Sequence, residues 1–216
     1  MRRIAACTLA CAAIVPLVVG CAKRTERNEN QTVAVSAQPL GKETGATVRN
    51  AIMGAQATGP AAQTVARQMD KQAQELAFEE PGAVVQRLGS GIVLILPEGM
   101  LFAQESDELA TSSRDNLRRL ASSFEKYPNT RIMIVGHTDS QGGTDRNQSL
   151  SERRAQALAS FLEQVGVNRG RLTTIGRGDA EPIATNDTDA GRQWNRRLEI
   201  AIYADEATRF GSVPTK

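Results

Sequence analysis

The amino-acid sequence predicts an α/β domain of the α+β kind, a two-layer sandwich in which two main helices pack on a mixed four-stranded sheet. Three observations lead to this fold class. Short apolar runs of strand length recur from residue 83 onward. Two longer segments between them carry apolar residues every three to four positions, the spacing of an amphipathic helix. The order strand, helix, strand, helix, strand, strand is typical of helices packed on one sheet.

Five apolar runs account for the strands. AVVQRL and GIVLILP flank Gly89-Ser90, so they predict a hairpin whose first strand precedes the four-stranded sheet. GIVLILP and RIMIV are apolar enough to be buried strands. RLTTIG and RLEIAIY supply the last two strands, and the alternation in RLEIAIY turns one set of residues inward: Leu198, Ile200 and Ile202.

Two amphipathic segments account for the main helices. The first helix is predicted over residues 107–126, ending before Pro128. Its buried face consists of Leu117, Leu120, Ala121 and Phe124. The second helix is predicted to begin near Leu150, because Ser149 and Glu152 have the spacing of a capping box.

Arg154 lies out of place on the second helix. At ~100° per residue it falls at the middle of the apolar side, which is formed by Ala157, Leu158, Phe161, Leu162 and Val165. A guanidinium is costly to remove from water unless a carboxylate or carbonyl groups meet it. We therefore expect either that Asp139 pairs with Arg154 in the resting protein or that the carboxylate of a ligand does.

The N-terminal residues 1–20 read as a secretory signal. Two arginines precede an apolar run from Ile4 to Val19, which is short for a membrane span and is broken by Pro16. An uncleaved membrane anchor is the alternative. Val18-Val19-Gly20-Cys21 resembles the bacterial lipobox, and this resemblance implies that the chain is cut before Cys21 and lipidated on it.

Processing at Cys21 excludes two classes of function. Cys7 and Cys11 leave with the signal, so the mature chain has no free thiol and no disulfide. Loss of Arg2 and Arg3 takes the formal charge from +2 to roughly zero, which argues against a nucleic-acid surface. Thiol chemistry and nucleic-acid binding are therefore not expected.

Composition divides the mature chain into four segments. Residues 21–59 are polar and poor in large apolar side chains, so they are predicted to be the lipidated cysteine and a flexible tether. Residues 60–82 are predicted to form a helix, with Pro60 at its start, that packs on its own domain or alternatively pairs in a homodimer. Residues 83–205 form the folded domain, and residues 206–216 form a C-terminal tail.

Three motifs resemble the OmpA-like peptidoglycan-binding domain family in order and spacing. They are GHTDSQGGTDRNQSLSERRA, GRGDAEP and GRQWNRRLEI, and the resemblance covers about Gly91 to Tyr203. It implies a fold like the OmpA C-terminal domain. With the lipobox in front, the chain looks like outer-membrane lipoproteins of the YiaD type more than like the shorter Pal lipoproteins.

The resemblance also implies a ligand and its site. In this family the domain holds the diaminopimelate residue of the peptidoglycan stem peptide without covalent chemistry, through the acid and arginine found here as Asp139 and Arg154. Thr138, Asn147 and the main chain at Leu150 occupy neighbouring positions. Many relatives have Phe-Asp where this chain has Phe102-Ala103, so that wall of the site lacks one acid.

The function implied is a tether between the outer membrane and peptidoglycan, with the domain facing the periplasm, no enzymatic activity and no cofactor. Ala22 after the lipidated cysteine favours the outer membrane by family analogy. The alternatives are a Pal-like protein whose main partner is another envelope protein, and a wall hydrolase that uses His137 with Asp139. A single histidine does not provide a multi-histidine zinc site, so no metal is expected.

Overall fold

A computed structural model describes residues 44–80, 82–103 and 106–211. The predicted signal, Cys21 and the first part of the predicted tether lie outside the described residues. Within the described part, no helix combines the length and the apolar character needed to cross a membrane.

A five-stranded sheet forms the centre of the domain. Its strands are β1 (Val84–Leu88), β2 (Gly91–Pro97), β3 (Thr130–His137), β4 (Leu172–Gly176) and β5 (Arg197–Ala204), and their order is β1-β2-β5-β3-β4. The pair β3 and β4 is parallel, whereas the other neighbours are antiparallel. The predicted mixed sheet is confirmed, and the predicted hairpin strand β1 joins it as the fifth strand.

Seven α-helices surround the sheet in the described residues. They are α1 (Ala46–Gly54), α2 (Ala61–Glu79), α3 (Glu98–Leu101), α4 (Arg114–Lys126), α5 (Thr144–Gln164), α6 (Asp189–Asn195) and α7 (Glu206–Arg209). The main core lies between one face of the sheet and α2, α4 and α5, where the inward residues of β5 predicted from alternation are buried: Leu198, Ile200 and Ile202. The predicted sandwich of helices on a sheet is therefore confirmed.

Helix α5 begins earlier than the sequence predicted. It begins at Thr144, directly after Gly143, so Ser149 lies inside the helix and does not cap it. The predicted capping box is wrong because the chain turns into the helix through Gly142, whose φ of 95° suits glycine. Asp145 lies in the first turn, where a carboxylate is favourable beside the free backbone N–H groups.

Two glycines let α5 approach the sheet closely. Gly136 on β3 and Gly176 on β4 are paired in register. A Cβ at Gly136 would lie 2.2 Å from the carbonyl oxygen of Ser151, and one at Gly176 would lie 2.4 Å from a side-chain carbon of Glu152. The absence of side chains at these positions brings the first turns of α5 against the ends of β3 and β4.

The second face of the sheet is covered by α1, so the prediction of a flexible tether over residues 21–59 is wrong for the described part that forms this helix. Val48 and Ile52 on α1 are fully buried against this face, which consists of Val93, Ile95, Val135 and Ala201. The reason is that this face of the strands is also apolar and needs a cover. Val48 and Ile52, at i, i+4 spacing, lie on the side of α1 that provides it.

A short helix, α7, lies near the C-terminal end of the described residues. The beginning of the predicted C-terminal tail forms α7, and the Asp205 side chain accepts a hydrogen bond from the backbone N–H of Thr208 at 2.8 Å. This helix packs on α2. The first part of the predicted tail therefore belongs to the folded domain.

Candidate functional site

A crevice of about 780 Å³ opens where the carboxyl ends of β2 and β3 meet the first turns of α5. The chain leaving β2 forms one wall, the chain entering β5 forms another, and α5 forms the third. Its lining includes Glu98, Thr138, Asp139, Asn147, Leu150, Arg154 and Arg196. All five ligand-site residues predicted from the sequence are among them.

Asp139 is held by the loop that follows β3 and by an arginine from the chain entering β5. Its Oδ1 accepts a hydrogen bond from the backbone N–H of Gln141 at 3.0 Å, and its Oδ2 accepts one from Arg196 Nη1 at 2.6 Å. The Asp139 side chain is 7% exposed, whereas that of Arg196 is 36% exposed. The carboxylate is therefore fixed, and its partner lies on the open side of the crevice.

Arg154 has a different partner from the one considered in the sequence analysis. Its Nη2 donates to Glu98 Oε1 at 2.6 Å, and its Nε donates to the carbonyl oxygen of Ser106 at 2.9 Å. The guanidinium also lies over the ring of Phe102, 5.3 Å from the centroid. Of the two alternatives, a resting pair between Asp139 and Arg154 is wrong, because each residue has a nearer partner of opposite charge.

Glu98 and Arg196 complete a chain of alternating charges along the crevice. Arg196 Nε lies 3.3 Å from Glu98 Oε2, so Arg154, Glu98, Arg196 and Asp139 follow one another as neighbours. Sequence reasoning missed Glu98 altogether. The motif GRQWNRRLEI contains Arg196, but a residue at a strand start gives no signal of its side-chain partner.

The remaining predicted site residues position Asp139 or line the crevice. The Asn147 side chain donates from Nδ2 to the backbone oxygen of Asp139 at 3.2 Å, which ties α5 to the loop. Thr138 donates its backbone N–H to the carbonyl oxygen of Gly178, and its buried hydroxyl has no hydrogen-bond partner among the described residues. Leu150 supplies apolar surface. Ala103 is exposed and is not part of the lining.

A second charged cluster lies on the opposite face of the sheet, beneath the start of α1. Arg197 Nε donates to Glu199 Oε1 at 2.7 Å, and both side chains are at most 1% exposed. The backbone N–H of Gly45 donates to both carboxylate oxygens of Glu199 at 3.0 Å. Burial, together with the positive charges of Arg197 and Arg177, lowers the pKa of His137 in this cluster to about 2.

His137 is therefore neutral, and it does not line the crevice that contains Asp139. Neither of its ring nitrogens has a hydrogen-bond partner among the described residues, and its Nε2 lies 3.8 Å from Glu199 Oε1. The wall-hydrolase alternative pairs His137 with Asp139, and the sheet separates the environments of these two side chains. Over the described ranges, no group of three or more histidine, cysteine, aspartate and glutamate residues is arranged to hold a metal ion.

The sequence around the crevice matches a known family. Residues 101–196 of this chain match the model of the OmpA family, and this range includes Asp139, Arg154 and Arg196. The family resemblance drawn from the three sequence motifs is thereby confirmed.

Two curated relatives and one solved structure illustrate the similarity. The protein named probable lipoprotein YiaD from Escherichia coli (strain K12) is 40% identical over 121 residues, which cover 56% of this chain and 55% of YiaD. The peptidoglycan-associated lipoprotein of Legionella pneumophila is 36% identical over 109 residues, covering 50% of this chain and 60% of that protein.

Among solved structures, the cell wall anchor of the T6SS from Pseudomonas aeruginosa aligns with a TM-score of 0.53 and 31% identity. The alignment covers 65% of this chain and 97% of that structure. The chain thus spans about half the length of YiaD but nearly the whole of the solved anchor domain.

Proposed function

We propose that this chain is an outer-membrane lipoprotein that binds peptidoglycan without covalent chemistry and so tethers the membrane to the cell wall. The ligand group is the diaminopimelate residue of the stem peptide. The observation that carries the proposal is the presence, in one partly open crevice, of a fixed carboxylate at Asp139 and a fixed guanidinium at Arg154. The tether carries out no reaction and uses no cofactor.

The crevice is chemically complementary to the free end of diaminopimelate. That end carries an ammonium and a carboxylate on one carbon, so a carboxylate and a guanidinium facing one cavity can hold both. Each charge-assisted hydrogen bond contributes about 1.5–3 kcal/mol. The ligand exchanges partners with the resting ion pairs, and Arg196 is the member most accessible for this exchange because it is the most exposed.

The relatives support the same class of partner. The Legionella pneumophila relative is named for its association with peptidoglycan, and the Pseudomonas aeruginosa structure is named a cell wall anchor. A weak single-site affinity is sufficient for a tether, because many copies on one membrane face one polymer and bind it multivalently.

The lipid anchor is placed at Cys21 by the lipobox pattern of the sequence. Fully extended, the chain from Cys21 to Gly45 spans at most about 80 Å, which bounds the distance between the membrane surface and the start of α1. The proposed location is therefore the outer membrane, with the domain facing the periplasm.

Two kinds of purified cell wall test the ligand. The full chain, solubilised in detergent, is sedimented with insoluble peptidoglycan that contains diaminopimelate, and in parallel with peptidoglycan that contains lysine at the same position of the stem peptide. Lysine lacks the second carboxylate and with it the free amino-acid end, so we expect cosedimentation with the first wall only. Equal recovery with both walls would contradict the assignment to diaminopimelate.

The lipid anchor is tested by Cys21→Ala. We expect this variant to accumulate as an uncleaved precursor and to be absent from the outer-membrane fraction, because no thiol remains to be acylated. Cys11→Ala, which removes a cysteine of the signal, is the matched control and should be processed normally. Processing of Cys21→Ala and its recovery in the outer membrane would contradict the lipobox.

A further inference from the structure

Glu98 occupies a position in the crevice that fixes both its backbone and its side chain. It is the first residue of α3, directly after β2 ends at Pro97. Its backbone N–H donates to the carbonyl oxygen of Arg196 at 3.0 Å, so the two crevice walls are joined at this point. The Glu98 side chain is 12% exposed, which leaves it little freedom to leave the crevice for solvent.

The two carboxylate oxygens of Glu98 have unequal partners. Oε1 accepts the 2.6 Å hydrogen bond from Arg154 Nη2. Oε2 lies 3.3 Å from Arg196 Nε, yet it accepts no hydrogen bond from any described residue. A buried carboxylate oxygen without a donor is unfavourable, so this oxygen is a ready acceptor for a cationic group that enters the crevice.

Glu98 also sets the balance of charge around the cavity. The described lining contains three guanidinium groups, on Arg146, Arg154 and Arg196, and two carboxylates, on Glu98 and Asp139. With both acids ionised, the lining carries a net charge of +1. Without Glu98 that charge would be +2, and the crevice would attract any carboxylate regardless of what accompanies it.

We propose that Glu98 is a selectivity residue, which admits ligands that carry an ammonium beside their carboxylate and disfavours carboxylates that lack one. This inference rests on the proposed function, because it concerns the same crevice. Glu98 acts in two ways. It competes with a ligand carboxylate for Arg154, and it supplies, with Asp139, a second negative charge for a ligand ammonium.

The competition is the step that distinguishes ligand classes. A plain dicarboxylate must displace Glu98 from Arg154 and then leave the nearly buried Glu98 carboxylate facing a second negative charge, which is unfavourable. A zwitterionic amino-acid end replaces each resting ion pair with another one, so every charge keeps a partner. Ligand choice at Glu98 is therefore set by repulsion as well as by attraction.

The test uses two small probes of the same length. Meso-2,6-diaminopimelate and pimelate share a seven-carbon chain with two carboxylates and differ only in the two amino groups. Their dissociation constants are measured by titration calorimetry on the full chain in detergent, at pH 7.5. The variants are Glu98→Gln, which keeps the shape and removes the charge, and Glu98→Asp, which keeps the charge.

We expect the wild-type chain to bind diaminopimelate at least about tenfold more tightly than pimelate. In Glu98→Gln this ratio should fall by about tenfold, because pimelate binding strengthens while diaminopimelate binding weakens. Glu98→Asp should retain selectivity. The control is Glu108→Gln, which removes the same charge from an exposed position outside the lining and should leave the ratio unchanged.

The measured ratios either support or overturn the role of Glu98 in selectivity. An unchanged ratio in a Glu98→Gln protein that still binds diaminopimelate would overturn the role of Glu98 and leave the proposed function standing. Selectivity lost equally in Glu108→Gln would also overturn it, because net charge alone would then explain the effect. If the wild-type chain binds neither probe, the proposed ligand fails and the selectivity residue fails with it. Equal melting temperatures of the variants exclude unfolding as the cause.

Discussion

Two arginines that are adjacent in the sequence lie in opposite surroundings. The Arg196 side chain is 36% exposed and faces the crevice, where it meets Asp139 and Glu98. The Arg197 side chain is 1% exposed and lies on the other face of the sheet, where it meets Glu199 beneath α1. The alternation of side chains at the start of β5 sends these two neighbours to different environments.

The difference separates binding from stability. Arg196, on the open side of the crevice, can exchange its partners for water or for a ligand, so cutting its ion pairs costs little folding free energy. Charges in the sealed cluster have no such exchange available, so the loss of one member leaves the other buried and unpaired. We therefore expect substitutions in the crevice to affect ligand affinity and substitutions in the sealed cluster to affect the free energy of unfolding.

The largest expected effect on stability is that of Glu199→Ala. It removes the partner of Arg197 and the acceptor for the Gly45 N–H, which should cost about 3–5 kcal/mol of unfolding free energy. Denaturant unfolding of the full chain in detergent measures this loss. The control Glu206→Ala, at an exposed site on α7, should change stability little. A Glu199→Ala protein as stable as wild type would contradict the claim that the charges of the sealed cluster stabilise the fold.

A smaller loss is expected from Ile52→Ala on α1. The side chain is fully buried against the second face of the sheet, and such truncations cost about 2–5 kcal/mol. We expect the lower end of that range, because a short helix can detach locally. Met53→Ala is the matched control, since Met53 is the next residue and is 53% exposed. Equal unfolding free energies for the two variants would show that α1 does not seal the sheet.

The smallest expected effect depends on pH and concerns Glu80. Burial raises the pKa of its carboxyl from 4.5 to about 7. Between pH 4.5 and pH 7 the Glu80 carboxyl is therefore protonated in the folded chain and ionised in the unfolded chain. Its contribution to the free energy of unfolding is fully present below pH 4.5 and is lost as the pH rises through 7. Glu80→Gln cannot titrate, so we expect it to be more stable than wild type at pH 8.

The comparison between Glu80→Gln and wild type is made by thermal unfolding at pH 4.5 and pH 8. The two proteins should have similar melting temperatures at the lower pH, and the gap should open only at the higher one. Glu108→Gln should show no such dependence, because Glu108 is exposed. A gap of the same size at both pH values would mean that the ionisation of Glu80 plays no part.

The fold was largely predictable because its main elements carry strong periodic patterns. The inward residues of β5 and the apolar face of α4 follow from spacing alone, and both are buried as expected. Helix α1 was missed because it presents only Val48 and Ile52 to the sheet. Two apolar residues in a polar segment are too few to distinguish a covering helix from a linker. Whether such a segment forms a helix depends on the apolar face of the sheet that it covers.

The site was predictable only in part, for a related reason. The loop after β3 and the head of α5 place Asp139 and Arg154 near one crevice, and their motif is local in sequence. Their resting partners are not local. Arg154 pairs with a residue 56 positions away, and Asp139 pairs with one 57 positions away. Such pairings depend on how the ends of the strands are arranged in the folded domain. The spacing of residues in the sequence does not predict them.

The measurement that tests the central claim most directly combines wall binding with thermal unfolding on one set of variants. Asp139→Asn and Arg154→Ala change the crevice, while Asp145→Asn and Arg153→Ala change exposed neighbours on α5 that lie outside its lining. We expect both crevice variants to lose cosedimentation with diaminopimelate-containing peptidoglycan while remaining folded, and both controls to bind as wild type does. Retained binding by folded Asp139→Asn and Arg154→Ala proteins would contradict the claim that this crevice holds the cell wall.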